Sequence, residues 1–322
     1  MTTNNRTLVV ENDPKDDIRR LGDWLTDAGL ALSVCQPYAD QALPDSLDGY
    51  AAVVVMGGAR HAYPGPDGTP GAPWFPALEG LLRKAVRYEV ATLGVCLGGQ
   101  LLATAHAGTV ERSAAGPEIG PRLVARRDAA ERDALWAPVP FAPDVLQWHA
   151  DEITELPVGA TLLAASTYYP HQAFRLGTRA WGVQFHMECD TAMVADWAAV
   201  DGDRLADLGY DPATLIDACD AVMGDLEEVW RPFAQRFAAI ALGTLPTGPG
   251  RELPVLPTVP RPAGGQAAGP FPGPAGGLTP GLEFGAAQPG GPQPGPVLGG
   301  LQPGGPIPGG PQPGSGRSPT PR

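Results

Sequence analysis

One stretch of the sequence, residues 92–102, is compatible with very few folds. It reads TLGVCLGGQLL, which is the pattern of a buried strand, a tight turn with Cys96 at its apex, and a helix. Small glycine neighbours on both sides of Cys96 let the strand and the helix approach closely. We interpret the stretch as a nucleophile elbow, in which the helix N-terminus favours a thiolate and the N–H of Leu97 is free to bind an oxyanion. A buried structural cysteine before a glycine-rich turn fits the stretch equally well.

Strand and helix patterns alternate on the N-terminal side of this elbow. Buried strands are predicted at residues 7–10, 30–34 and 51–56. The third is continuous and rich in β-branched residues, as in a sheet that is covered on both faces. Asn12 and Pro14 predict the start of a helix that ends at Gly29, and residues 74–88 predict another. The alternation predicts an α/β fold with a doubly wound, mostly parallel sheet.

Two features stand at the C-terminal ends of predicted strands, where such sheets form their sites. The glycine pair Gly57 and Gly58 follows the third strand, and Cys96 follows the elbow strand. Further along, smaller antiparallel strands are predicted at residues 109–112, 122–126, 145–149, 162–165, 172–176 and 180–185. Helices are predicted at residues 191–201, 212–223 and 226–242.

The composition changes abruptly near Leu245. Residues 246–322 include 21 Pro and 21 Gly, and such a segment cannot bury enough apolar surface to offset the entropy lost on ordering. We therefore expect residues 1–245 to form one α/β domain. Residues 246–322 are expected to form a disordered, Pro/Gly-rich tail.

Charge and cysteine usage narrow the range of partners and compartments. The formal net charge is −13, and a chain this acidic is a poor candidate for binding nucleic acid. The four cysteines are widely spaced and form no CxxC pair, and no stretch has the length and hydropathy of a membrane span. The first ten residues lack the pattern of a signal peptide. We expect a cytoplasmic protein with free thiols and no membrane partner.

A cysteine nucleophile needs a base, and that base needs an orienting group. Among the five histidines, only His186 directly follows a predicted strand and has a carboxylate, Glu188, two residues further on. Residues i and i+2 of an extended chain share a face, so Glu188 can hold the ring of His186. A lone histidine at a strand end would be structural, but its pairing with Glu188 and Cys96 favours a catalytic triad. Three of the other four histidines are interpreted as surface or packing residues: His61, His106 and His171.

Two motifs together carry a resemblance to a known family. Residues 94–100 read GVCLGGQ, and residues 182–188, about ninety positions later, read GVQFHME. In this order and spacing they resemble the class I (triad) glutamine amidotransferases, and among these the stand-alone proteins similar to the glutaminase domain of GMP synthase. The resemblance covers residues 8–201 and implies a flavodoxin-like α/β fold.

The resemblance implies a role for each residue of the triad. Cys96 would attack the side-chain amide carbon of glutamine, giving a glutamyl thioester and releasing ammonia. His186 would act as the base and then as the acid that protonates the leaving ammonia, and Glu188 would orient its ring. The N–H groups of Leu97 and Gly58 would form the oxyanion hole.

The resemblance also implies how the substrate is held. Gln100 and the backbone near Trp148 and His149 would contact the glutamine, and residues 149–151 are similar to a family segment (His-small-Asp) that lines the cleft. No metal and no cofactor are implied. Because the chain contains no synthetase or ATP-site motif such as a P-loop, a synthetase that accepts the ammonia would be a separate chain.

The chain departs from the family pattern at two positions. Ala59 stands where the family usually has proline after the glycine pair, and Met187 stands where the family usually has proline between the histidine and the glutamate. The first change frees the backbone at Gly58, and one lost oxyanion donor costs about 10²–10³ in rate. The second removes rigidity between His186 and Glu188.

Three functions are therefore open at the level of sequence. The first is a glutaminase that supplies ammonia to an acceptor. The second is a free-standing γ-glutamyl peptidase or amidase, in which the leaving group is an amine. The third is a non-catalytic scaffold that keeps the fold.

Overall fold

The structure is a computed structural model and describes residues 4–247 of the chain. Twelve strands lie in this part. In chain order, β1 to β12 are Arg6–Val10, Ala31–Cys35, Ala52–Val55, Ala91–Val95, Thr109–Arg112, Glu118–Leu123, Ala125–Arg126, Asp144–His149, Asp151–Glu155, Thr161–Ala165, Ala173–Leu176 and Ala180–Val183. The α-helices α1 to α7 are Arg19–Asp27, Phe75–Arg87, Leu97–Thr104, Thr191–Val200, Gly202–Asp207, Pro212–Ala221 and Met223–Ala241.

Eight of these strands form one central sheet in the order β2-β1-β3-β4-β12-β11-β10-β7. The five strands from β2 to β12 run parallel to one another. The remaining three, β11, β10 and β7, are each antiparallel to the strand before them in this order. Two separate two-stranded sheets, β5 with β9 and β6 with β8, stand beside it. The prediction of an α/β fold with a mostly parallel sheet is confirmed.

The central sheet is covered on both faces, as the β-branched third strand predicts. Along β1 and β3, side chains alternate between two apolar clusters: Val9 and Val54 belong to one, and Leu8 and Val53 belong to the other. Such alternation is the consequence of the two-residue repeat of a strand. Apolar side chains therefore pack on both faces of the sheet where β3, β4 and β12 have their C-terminal ends.

The position of strand β12 in the fold differs from the prediction. We predicted residues 180–185 to be one of the smaller antiparallel strands, but β12 lies in the central sheet and pairs in parallel with β4, with Gly182 opposite Gly94. Its other neighbour, β11, is antiparallel. The short turn between β11 and β12 is visible in the sequence, whereas a parallel neighbour nearly ninety residues earlier is not.

The start of the first helix was also predicted wrongly. Asn12 and Pro14 do not open it, since α1 begins at Arg19. The carboxylate of Glu11 accepts the N–H of Ile18 at 3.2 Å, and Asn12 makes contacts elsewhere. Residues 12–18 therefore form a loop at the C-terminal end of β1, beside the other strand ends.

The C-terminal helix α7 packs aromatic side chains against the sheet. Trp230, Phe233 and Phe237 are buried, and the rings of Phe185 and Trp230 have centroids 4.9 Å apart. Phe185 directly precedes His186, so α7 supports the segment that carries this histidine. Within residues 4–247, no helix combines the length and the hydropathy needed to cross a bilayer. Apart from residues 246 and 247, the predicted tail lies outside the described residues.

Candidate active site

The turn between β4 and α3 places Cys96 in a strained backbone conformation. Its φ is +49° and its ψ is −110°, a region that residues other than glycine rarely adopt. The N–H of Cys96 donates to the carbonyl of Val183 at 2.8 Å, and its own carbonyl accepts the N–H of Gln100 at 3.0 Å. The apex is thus held by β12 on one side and by α3 on the other, which is the geometry of a nucleophile elbow.

The glycines around Cys96 allow a very close approach of backbone to backbone. A Cβ on Gly98 would lie 2.0 Å from the carbonyl oxygen of Val55, and one on Gly94 would lie 2.5 Å from that of Gly98. A Cβ on Gly99 would lie 2.7 Å from the carbonyl oxygen of Val183. No side chain fits at these distances, which confirms that small residues are required here.

His186 and Glu188 lie in an extended segment just beyond β12. His186 bridges to Leu146 of β8, donating its N–H to that carbonyl at 2.8 Å and accepting the N–H of Leu146 at 3.3 Å. The Nδ1 of His186 and the Oε1 of Glu188 are 2.7 Å apart, and both side chains are buried. The extended backbone brings residues i and i+2 onto one side, as their spacing indicated.

Electrostatics favour the charged form of this histidine. Burial alone disfavours an imidazolium, but the Glu188 carboxylate and then the Cys96 sulfur outweigh it and hold the pKa of His186 well above its usual range. The amide Nε2 of Gln184 also donates to the Sγ of Cys96 at 3.7 Å. The sulfur therefore has an imidazole and a carboxamide donor beside it.

Met187 makes a backbone hydrogen bond that a proline at this position could not make. Its backbone N–H donates to the Oε2 of Glu188 at 2.9 Å, whereas proline has no N–H to donate. One oxygen of Glu188 therefore holds the ring of His186 and the other is held by the main chain. Fixing both oxygens restricts rotation of the carboxylate.

The loop that carries Gly58 is held by a residue that sequence reasoning placed in a helix cap. Asn12 is buried and donates from Nδ2 to the carbonyl of Met56 at 2.9 Å, while its Oδ1 accepts the indole N–H of Trp74 at 3.0 Å. A Cβ on Gly58 would lie 3.1 Å from the side chain of Leu97. Among the described residues, the N–H groups of Gly58 and Leu97 have no hydrogen-bond acceptor.

A cleft of about 290 Å³ opens over the sulfur of Cys96, close to the smallest volumes of about 300 Å³ at which small molecules bind. Of the residues predicted for the site, all but Glu188 line it: Gly58, Cys96, Leu97, Gln100, Trp148, His149 and His186. Glu188 is fully buried behind His186. One cleft therefore combines residues of both predicted motifs with Gly58 of the glycine pair.

The three residues predicted to hold the substrate are tied to the protein itself. Gln100 donates to the Oε1 of Gln184 at 3.1 Å, and His149 shares a hydrogen bond with the carboxamide of Gln147 at 2.8 Å. Trp148 donates from its indole to the Oδ2 of Asp201 at 2.8 Å. These bonds fix the side chains as walls of the cleft.

Sequence reasoning missed several polar residues of the cleft, and two of them lie at informative positions. His61, interpreted as an ordinary surface or packing residue, lies with Nδ1 2.6 Å from Asp151 Oδ2 and lines the cleft. Asp16, in the loop after β1, also lines it. The proximity of His61 to the glycine pair in sequence was a signal for the first, whereas nothing local marked Asp16.

One cluster has the composition of a metal site. His186, Glu188 and Cys189 each place a ligand atom within 4.8 Å of the others. Burial raises the pKa of the Cys189 thiol well above its usual range, so it offers no thiolate. The Nδ1 of His186 is already bonded to Glu188, so the cluster is explained by the His186–Glu188 pair.

The fold and the site together define an α/β protein with a cysteine at a strand–helix turn and a buried His–Glu pair. Known proteins with this fold include the class I glutamine amidotransferases, and the comparisons match this chain to them. The family model "Glutamine amidotransferase class-I" matches residues 23–192. A glutamine amidotransferase from Thermotoga maritima superposes with a TM-score of 0.65 and 26% identity, covering 72% of this chain and 97% of that one.

Two curated relatives represent different activities. Gamma-glutamyl peptidase 5 of Arabidopsis thaliana is 27% identical over 205 residues, which is 62% of this chain and 78% of that protein. GMP synthase of Porphyromonas gingivalis is 29% identical over 162 residues, which is 48% of this chain and 28% of that protein. Because the family match spans more than half of the sequence and includes Cys96, His186 and Glu188, this chain belongs to the class I glutamine amidotransferase family.

Proposed function

We propose that this protein hydrolyses the side-chain amide of glutamine through Cys96, His186 and Glu188. The observation that carries the proposal is the buried His186–Glu188 pair at 2.7 Å beside a cysteine whose backbone is strained. A histidine held by a carboxylate and placed next to a sulfur is the arrangement that activates a thiol.

The geometry supports the following reaction. The thiolate of Cys96 attacks the amide carbon, and the oxyanion that forms is bound by the N–H groups of Leu97 and Gly58. The imidazolium of His186 gives its proton to the nitrogen as the C–N bond breaks, leaving a glutamyl thioester. Neutral His186 then takes a proton from water, which attacks the thioester and releases glutamate. The C–S bond breaks as glutamate leaves, which frees the Cys96 thiolate, and the proton taken from water stays on His186, so the starting thiolate and imidazolium are restored.

Asn12 is expected to matter for the oxyanion step, because it holds the carbonyl that precedes the glycine pair. Replacing it by alanine leaves the buried Met56 carbonyl without its donor, at a cost of about 1–3 kcal/mol. We expect kcat for glutamine hydrolysis to fall by about 10–100-fold with a smaller change in KM, since one oxyanion donor contributes about 10²–10³. Steady-state kinetics and thermal unfolding measure both effects.

The matched control is Trp74→Phe, which keeps Asn12 and removes only the indole that orients it. Its kcat is expected to lie between those of the wild type and Asn12→Ala. A value of kcat in Asn12→Ala equal to the wild-type value would show that Asn12 does not hold the oxyanion loop.

A second candidate is a γ-glutamyl peptidase, in which an amine replaces ammonia as the leaving group. It is favoured by the match to a γ-glutamyl peptidase over 78% of that protein's length. The triad chemistry is the same, and only the space on the leaving-group side differs. In the glutaminase alternative, the proposed partner is a separate synthetase that accepts the ammonia; the match to 28% of the length of a GMP synthase supports this proposal.

A product assay on the purified full chain tests the proposal. Glutamine and a panel of γ-glutamyl peptides are supplied, and glutamate, ammonia and free amine are measured separately. Glutaminase activity predicts ammonia from glutamine, whereas a peptidase releases amine from peptides at a higher kcat/KM. A chain that turns over neither, and whose Cys96 is not alkylated by a diazoketone analogue of glutamine, would be a scaffold. Mass spectrometry of the other cysteines provides the labelling control.

We also propose that the catalytic unit comprises residues 1–245. Its support is the packing of α7, whose last buried residue is Ile240, together with Leu245, which is partly buried against the same apolar cluster. The predicted tail follows this point.

A further inference from the structure

Asp16 occupies a position beside the catalytic histidine that the reaction described above does not use. It lies in the loop between β1 and α1, its residue is only 8% exposed, and it lines the cleft. The point where a Cβ on Gly57 would sit is 3.1 Å from Asp16 Oδ1 and 3.1 Å from His186 Cε1. The carboxylate and the imidazole therefore both face the open space at the Cα of Gly57.

The charges around Asp16 come from two elements. Asp13 and Asp17 belong to its own loop, and His186 and Glu188 belong to the segment after β12, which also carries the uncharged Cys189 thiol. Two basic residues of the loop region are engaged with other carboxylates: Lys15 with Asp196 at 3.6 Å and Arg19 with Asp17 at 2.6 Å. Among the groups that act on Asp16, His186 is the cation.

These surroundings make Asp16 unusually basic for a carboxyl group. Burial raises its pKa from 3.8 to about 7, against the opposing effect of His186, and Asp13, Glu188 and Asp17 raise it further. Within the described residues, its side chain takes part in no hydrogen bond. A carboxylate placed near an imidazolium without bonding to it acts through its field.

We propose that Asp16 is a positioning residue that stabilises the imidazolium of His186 from the Cε1 edge, while Glu188 holds the Nδ1 edge. This role rests on the proposed function, in which the imidazolium is the acid that protonates the leaving nitrogen. Two carboxylates on different edges of one ring keep it charged in a buried site. Because Asp16 changes charge near neutral pH, its support is present above pH about 7 and is lost as the pH falls below it.

The test is the titration of the proton on His186 Cε1, followed by NMR in protein with labelled histidine. In Asp16→Asn, we expect the pKa of His186 to fall by about one unit, as is typical for loss of an opposite charge at this range. The wild-type curve is expected to show a second inflection near pH 7 that is absent from the variant. Asp16→Glu, which keeps a carboxylate, should retain that inflection.

Kinetics and stability provide two further readouts. At pH 8, kcat/KM of Asp16→Asn is expected to fall by up to about tenfold, since a fall of one pKa unit lowers the imidazolium fraction by at most a factor of ten, whereas at pH 6 it should match the wild type. Because the folded pKa of Asp16 lies above its unfolded value, ionisation of Asp16 opposes folding, and the stability present at low pH is lost as the pH rises through about 7. Asp16→Asn should therefore raise Tm at pH 8, whereas loss of a merely structural residue would lower it.

The matched control is Asp17→Asn, in the same loop but paired with Arg19. It should leave the pKa of His186 and kcat/KM at pH 8 unchanged, and the inflection near pH 7 should persist and move only slightly downward, because Asp17 contributes least among the named charges that raise the pKa of Asp16. An unchanged His186 titration in Asp16→Asn would overturn the proposal, even if the enzyme is active. Absence of turnover in the wild type would instead overturn the proposed function, because the NMR titration does not depend on turnover.

Discussion

Replacement of Cys96 by alanine is expected to abolish release of glutamate and ammonia without unfolding the protein. Removing the nucleophile of a catalytic triad lowers kcat on the order of 10⁶-fold, so activity should drop to the level of the buffer. Alanine meets the same backbone cost as cysteine at φ +49°, and the missing sulfur leaves only a small space beside the cleft. Glutamate release and thermal unfolding, measured on the same preparation, check both parts.

Two further cysteine variants make this result specific. Cys35→Ala, at the end of β2, should retain wild-type kinetics because its thiol lies at the opposite side of β1 from the elbow strand. Cys96→Gly should be inactive yet more stable than Cys96→Ala by about 1 kcal/mol, since glycine adopts a positive φ without strain. Glutamine turnover above background in Cys96→Ala would rule out the thioester route.

Replacement of Gly98 by alanine is expected to destabilise the fold severely. Its Cβ would lie 2.0 Å from the carbonyl oxygen of Val55 and 2.7 Å from the carbonyl carbon, and neither belongs to a flexible side chain. Helix α3 would have to move away from β3, which breaks the packing of a region that is almost entirely buried. We expect a loss of about 4 kcal/mol or more in the free energy of unfolding, visible as a large drop in the urea midpoint or in soluble yield.

The control for this variant is Gly80→Ala in α2, where the nearest atom to the new Cβ is Arg83 Nη2 at 3.9 Å. There alanine should stabilise the helix by about 0.5–1 kcal/mol. Glycine-to-alanine substitution is thus expected to lower the free energy of unfolding in α3 and to raise it in α2. A urea midpoint for Gly98→Ala close to that of the wild type would mean that α3 does not approach β3 as described.

The outcome at Asn12 shows why local patterns have a limit. Asn followed by Pro is a common helix start, and sequence alone favours that interpretation. In the structure, the carboxamide of Asn12 instead hydrogen-bonds to the carbonyl of Met56, just after β3, and to the indole of Trp74. Both partners are more than forty residues away in the sequence. Such a choice depends on which strands become neighbours, and a local pattern does not contain that information.

The sequence by itself determined the α/β class, the elbow at Cys96 and the pairing of His186 with Glu188, because each depends on contacts between residues close in the chain. Glycine spacing requires the close packing of strand and helix, and an i, i+2 spacing brings a ring and a carboxylate together. Only the tertiary structure decided that β12 runs parallel to β4, that Asn12 holds the loop of Gly58, and that Asp16 faces His186. The physical reason is that these contacts join segments far apart in the chain, which come together only where the C-terminal ends of neighbouring strands lie side by side.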